Sequence, residues 1–187
     1  MGRLGYTSIT SLDGYVNDAS GEFDWSAPDH EVHAFVNELE RRFTTHLYGR
    51  RMYEVLRVWE HPEDFVDGDP VMEDYAAIWQ AADKVVYSSS LRPADITTAR
   101  TRLERAFDVD AVRALKAAAA GDVTIGGPGL ASHALRAGLV DELHLFLNPI
   151  IVGGGTAAIP DDVRIDLTLV EERRFSGGVV YLRYDVT

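Results

Sequence analysis

The sequence predicts an α/β fold: a mixed, mainly parallel sheet of about eight strands, helices on both faces, and an antiparallel hairpin at the C-terminus. Short apolar runs alternate with segments of helical periodicity through most of the chain. Strand-helix-strand units of this kind imply parallel pairing through right-handed crossovers. The last two apolar runs alternate with period two and meet at Ser176-Gly177-Gly178, which is hairpin chemistry.

The elements follow in order. "RLGYTSIT" is a first strand closed by a turn at "SLDG". "HEVHAFVNELERRF" places Val32, Phe35, Val36, Leu39 and Phe43 on one helical face. "THLYG" is a short strand, "RRMYEVLRVW" a helix, and "EHPEDFVDGDP" a loop punctuated by Pro62, Gly68 and Pro70. "VMEDYAAIWQAA" aligns Tyr75, Ile78, Trp79 and Ala82 on one stripe, and "DKVVYSSS" is the next strand. "ITTARTRLE" reads as a strand and "VDAVRALKAAA" as a helix. "GDVTIGGPGLASHALRAG" then gives a strand, a glycine knot and a helix. "DELHLFLNPII" is a strongly apolar strand, and "IDLTLVEERRF" with "GVVYLRYDV" forms the closing hairpin. No internal repeat or linker interrupts the series, so residues 1–187 read as a single domain.

With 46% apolar and 26% charged residues among 187, the chain has the composition of a globular protein able to bury its own core. It contains no cysteine, which excludes disulfides and thiolate metal sites. "MGRLGYTSIT" lacks the apolar core of a signal peptide and no run is long enough to span a bilayer, so the expected location is cytoplasmic. A net charge of −12 argues against nucleic acid and anionic membranes as partners, since both are bound through basic surface. Against that background the adjacent Arg50 and Arg51 stand out.

Ligands of open α/β sheets sit at the carboxyl ends of the parallel strands. Three such ends carry suggestive residues. In "YGRRMYE" a strand ends at Gly49 and two arginines open a helix, where free N–H groups and guanidinium charge together favour a phosphate. "VVYSSS" runs out into the hydroxyls of Ser88, Ser89 and Ser90. In the knot, Gly126, Gly127 and Gly129 allow close approach to the backbone. The blander alternatives are a surface charge pair, a polar strand end and a simple turn. Taken together, the arginines and serines suit the 2′-phosphate of an NADP-type cofactor, and the knot suits its pyrophosphate. The knot is not G-x-G-x-x-G, because Ser132 stands where the last glycine would fall. Asp141 and Glu142 lie at about the distance of a ribose-binding acid but precede a strand instead of ending one.

The segments "SLDGYV", "FDW", "GRRMYE", "SSSL", "TIGGPGLASHAL", "GLVDELHLFLNPIIVGGG" and the closing hairpin resemble the dihydrofolate reductase superfamily. The likeness is to the branch related to the reductase domain of bacterial riboflavin biosynthesis, and it covers nearly the whole chain. It implies an NADPH-dependent reductase on a mainly parallel eight-stranded sheet. By position, it implies that Gly49, Arg50, Arg51 and Met52 meet the adenosine phosphate and that Ser88, Ser89 and Ser90 complete the 2′-phosphate pocket. Gly126, Gly127, Pro128, Gly129 and Leu130 would hold the pyrophosphate, with a cis peptide between Gly126 and Gly127. Ser8, Ile9 and Thr10, with the loop to Val16, would wall the nicotinamide. Related proteins are often homodimers, and "LFLNPIIV" and the hairpin offer an interface.

Folate reductases carry an acid near the start of the helix that follows a Trp loop. Here Trp25 matches the loop, and Asp29 follows it, three residues before Val32 and seven before Val36 on the apolar stripe. Asp29 is therefore a candidate proton relay. Ser26-x-x-Asp29 equally resembles a capping box, in which the carboxylate only satisfies a free helix N–H. Asp13 in "LDG" sits where riboflavin-type reductases keep the same triplet near nicotinamide and substrate, or it bonds its own turn. Asn148 reaches the same cleft or caps a turn. His30 and His33 share a helix face without an evident third ligand, so no metal site is expected. The functional reading is hydride transfer to a C=N or C=O bond of a small pterin-like or pyrimidine-like substrate. The alternative is a non-catalytic NADP(H)-binding protein. A phosphate-binding transferase is disfavoured because no P-loop lysine follows the knot.

Overall fold

The computed structural model describes residues 2–187. Its main sheet has eight strands in the order β5-β4-β3-β6-β1-β7-β10-β9. The strands are β1 (Leu4–Ser11), β3 (Phe43–Gly49), β4 (Asp83–Tyr87), β5 (Thr101–Glu104), β6 (Asp122–Gly126), β7 (Glu142–Asn148), β9 (Leu167–Arg174) and β10 (Val180–Val186). The pairings from β5 through β7 are parallel, whereas β10 runs antiparallel to both β7 and β9. The mixed sheet and terminal hairpin match the expectation from sequence. A second sheet pairs β2 (Tyr15–Asn17) with β8 (Thr156–Ala157), segments remote in sequence that the apolar pattern does not announce.

Five α-helices cover the sheet: α1 (His30–Glu40), α2 (Arg50–Leu56), α3 (Pro70–Ala81), α4 (Val109–Ala118) and α5 (Pro128–Arg136). Three of them begin at an aspartate whose carboxylate takes a free helix amide. Asp29 accepts from Val32 at 2.9 Å, Asp69 from Val71 at 2.9 Å, and Asp108 from Ala111 at 2.8 Å. α3 and α5 also carry proline in the first turn, where its missing N–H costs nothing.

Alternation along the strands assigns each residue to a face. Leu4 and Tyr6 of β1, Leu47 of β3, and Val123 and Ile125 of β6 pack against Val112 of α4 and Leu130, Ala131 and Ala134 of α5. On the opposite face Val32, Phe35, Val36 and Leu39 of α1 meet Phe146, Tyr181 and Ile9. Beside them, Tyr48 and Val86 pack against Tyr53 of α2 and Trp79 of α3. The hairpin turn docks on the start of α1, where Ser176 donates its amide (2.9 Å) and hydroxyl (2.6 Å) to Glu31. A Cβ on Gly177 would meet the end of the Asp29 side chain, so a larger residue there would displace the capping carboxylate.

Some boundaries differ from the sequence reading. Phe43 does not extend the apolar stripe of α1. The helix ends at Glu40, and Phe43 opens β3 in register with Asp122, buried beside Gly5. "RRMYEVLRVW" divides into α2 and a 3-10 turn over Arg57–Glu60. The "ITTARTRLE" strand shortens to Thr101–Glu104, with Arg100 at φ 54 just before it. Among the described residues no helix is long and apolar enough to cross a membrane.

Candidate active site

A cleft of about 680 Å³ opens on the α1–α3 side at the carboxyl ends of β1, β3 and β6, a volume suited to a small-molecule site. Ile9 and Phe146 form its apolar floor, and Val16 with Thr156 brings the small second sheet to its edge. Arg51, Met52 and the Gly126-Gly127-Pro128 turn form the far wall.

The knot turns without a cis bond: no peptide among the described residues is cis, which corrects the expectation for Gly126-Gly127. The sharp reversal comes instead from Gly127 at φ 89, a conformation side chains disfavour. Gly126 is tightly held, since a Cβ there would meet the Tyr48 ring at 3.2 Å and Met52 at 3.3 Å. Beyond it, α5 begins with no side-chain cap, and nothing lies within 4 Å of where a Gly129 Cβ would be. The first-turn amides of Gly129 and Leu130 are thus left for an external acceptor, and the helix dipole favours an anion there. The side chain of Leu130 points into the core instead, so only its backbone can serve the site.

The two arginines part company. Arg50 turns away and pairs with Glu54 at 3.1 Å. Arg51 lines the cleft and has no carboxylate within ion-pair distance among the described residues. Gly49, the N-cap of α2, pairs in register with Tyr87, which places Ser88, Ser89 and Ser90 beside the start of α2. Ser88 is buried, and its hydroxyl accepts from the amides of Ser90 (3.2 Å) and Leu91 (3.0 Å), leaving Ser89 and Ser90 exposed. Arg105 donates to the carbonyls of Ser88 (3.4 Å) and Leu91 (2.5 Å), a basic contribution to this corner that the sequence reading did not single out.

The candidate acids lie away from the cleft lining. Asp29 is exposed and occupied as the cap of α1. Asp13 accepts from Gly153 at 2.8 Å and Val152 at 3.2 Å, tying the turn after β1 to the loop after β7. Asn148 donates to Thr10 at 3.3 Å across the β1–β7 pair. Trp25 sits in a 3-10 turn, half-buried, with Nε1 lacking a partner, while its neighbours Phe23 and Ser26 line the cleft. Of the helical histidines, His30 lies 3.6 Å from Asp69, and His33 packs edge-on against Trp59 and at a tilt against Tyr75.

The carboxylate that does line the cleft is Glu40, in the last turn of α1. It continues the Val32–Val36 spacing of four, which places it on the inward stripe. Its side chain is 9% exposed, and burial pushes its carboxyl up to about 7 against the downward pull of Arg42. His46, on β3, lies 3.7 Å away, too far for a hydrogen bond, and its other ring nitrogen is 2.6 Å from the Tyr48 hydroxyl. Burial, with Lys84 adding to it, pushes His46 down to about 4, so the imidazole is neutral near pH 7. Thr7, on β1, also lines the cleft with a buried hydroxyl that has no partner.

Residues 4–181 match the family model of the RibD C-terminal domain. The chain belongs to that family. It is 30% identical over 181 residues to the uncharacterized protein YyaP of Bacillus subtilis (strain 168), covering 93% of this chain and 89% of that one. A pyrimidine reductase-like protein of Corynebacterium diphtheriae superposes with a TM-score of 0.69 at 16% identity, covering 100% of this chain and 92% of that one. The Thermotoga maritima diaminohydroxyphosphoribosylaminopyrimidine deaminase/5-amino-6-(5-phosphoribosylamino)uracil reductase superposes with a TM-score of 0.67 at 16% identity. This chain is covered completely in that comparison and corresponds to 57% of the Thermotoga protein. The fold is therefore the dihydrofolate reductase-like fold of RibD reductase domains.

Proposed function

We propose that the protein is an NADPH-dependent reductase that adds a hydride to a C=N or C=O bond of a small pyrimidine-like or pterin-like heterocycle. One observation carries this reading. The uncapped start of α5 and the unpaired Arg51 face a single cleft whose floor is apolar and whose family is that of RibD reductase domains. The free amides of Gly129 and Leu130 fit a pyrophosphate, and Arg51 fits a 2′-phosphate, with Ser89, Ser90 and Arg105 at the same corner. Ile9, Val16 and Phe146 offer a planar ring an apolar seat. Bound there, a reduced nicotinamide supplies the electron pair for the reduction. The chain's own contribution is to fix the distance between that ring and the acceptor carbon.

The test is loss of reduced-nicotinamide absorbance when the protein is mixed with NADPH and, in turn, dihydrofolate, dihydrobiopterin and 5-amino-6-(5-phosphoribosylamino)uracil. Turnover of a member of this panel is expected, with the pyrimidine favoured. Saturable NADPH binding with no oxidation on any of them would instead support a non-catalytic NADP(H)-binding protein.

A further inference from the structure

We propose that Glu40 is the proton donor of the cleft, protonating the substrate heteroatom as the adjacent carbon is reduced. The inference rests on the reductase reading and adds to it the identity of the acid. Glu40 is the one carboxylic acid among the residues lining the cleft. It shares the cleft with Val36, one helical turn away, and with Ile9 and Phe146, so a substrate stacked on a nicotinamide seated there occupies the same cleft as the Glu40 carboxyl.

The groups facing Glu40 keep it a proton carrier instead of a salt-bridge partner. From β3 come neutral His46 and Tyr48, and from α3 comes Tyr75; both phenols are pushed upward and stay protonated. Among the described residues Arg42, just beyond the helix, is the one cation that pulls Glu40 downward, and its guanidinium is engaged by Glu142 and lies 2.9 Å from the His144 ring. No guanidinium or ammonium therefore clamps Glu40 in its ionised form, and burial decides. The carboxyl remains substantially protonated near neutral pH, the condition a general acid requires.

The π bond of the C=N or C=O group breaks. The carbon gains a C–H bond with the electron pair from reduced nicotinamide, which is oxidised by two electrons. The heteroatom gains the Glu40 proton, and Glu40 is left as a carboxylate that takes a new proton from water at the cleft mouth.

The experiment compares wild type with Glu40→Gln and Glu40→Asp. Turnover is measured on the panel compound that wild type reduces fastest, and NADPH affinity is measured separately by titration. An independent readout is the infrared band of protonated carboxyl in the free protein, followed from pH 5 to 9. We expect Glu40→Gln to lose about 10²- to 10⁴-fold in kcat, with NADPH affinity preserved and the fall in rate above about pH 7 abolished. Glu40→Asp should restore part of the rate with a shifted pH profile. Wild type should show a component of this band that fades near pH 7, above the ordinary carboxyls, and Glu40→Gln should lack that component. Wild-type kcat and pH profile in Glu40→Gln, or an infrared band in wild type with no component that fades near pH 7, would overturn the proposal. Failure of wild type to bind NADPH would sink the reductase reading, and the assignment of Glu40 with it, even if the band titrates as expected.

Discussion

On the face covered by α4 and α5, β3 and β6 present Leu47, Val123 and Ile125, and β1 adds Leu4 and Tyr6. On the face covered by α1 and α3 the same strands present His46, Thr124 and Thr7, and β7 adds His144. The first face is mainly apolar, and its buried polar groups include the Tyr6 hydroxyl, donating to Ala158 at 2.8 Å, and the Lys116 ammonium, donating to Leu139 at 2.9 Å. The second buries ionisable groups that need partners. Arg42 bridges Glu142, His144 bonds Tyr181 at 2.7 Å, and the Lys84 ammonium donates to the carbonyls of Trp79 and Ala82 at 2.9 Å each. Burial alone would raise Glu142, but His144 and Arg42 overcome it and hold that carboxyl at about 2. Glu40, on the same face, has no such clamp and goes the other way. One face stores stability, and the other spends part of it on groups whose charge state is adjustable.

Mutations should separate these two faces. Leu47→Ala removes a fully buried side chain under α4 and α5, and should cost about 2–5 kcal/mol in urea unfolding. Because Leu47 points away from the cleft, kcat of the folded variant should stay near wild type. A large fall in kcat without loss of stability would break the separation. Asp29→Ala should cost about 0.5–2 kcal/mol of stability through the lost α1 cap, again with kcat retained. If kcat fell a hundredfold instead, the proton role would belong to Asp29 and not to Glu40.

Much of the fold was legible because its signals are local. Alternating periodicity marked the strands and helices, and Ser176-Gly177-Gly178 marked the hairpin. At the site, the knot and Arg51 were legible because glycine and paired arginine are unusual at strand ends. The β2–β8 pair was not, since nothing within "YVN" or "TA" points to a partner across the chain. Glu40 was missed for a different reason. Embedded in "NELERR", it reads as part of a solvated face, and extending the helix to Phe43 concealed that α1 ends there. Its spacing from Val32 and Val36 was the available signal, the same rule that drew attention to Asp29 at the other end of the helix. Only the fold shows which end meets the cleft and which meets solvent.

The proposed reductase function depends most on recognition of a 2′-phosphorylated dinucleotide through Arg51 and the start of α5. Calorimetric titration of NADPH and NADH into wild type and Arg51→Ala tests it directly. Wild type is expected to bind NADPH at least about tenfold more tightly than NADH, a difference of about 1.4 kcal/mol, and Arg51→Ala to remove most of that preference while leaving NADH affinity unchanged. Equal affinities for the two cofactors in wild type, or a preference that survives Arg51→Ala intact, would contradict it.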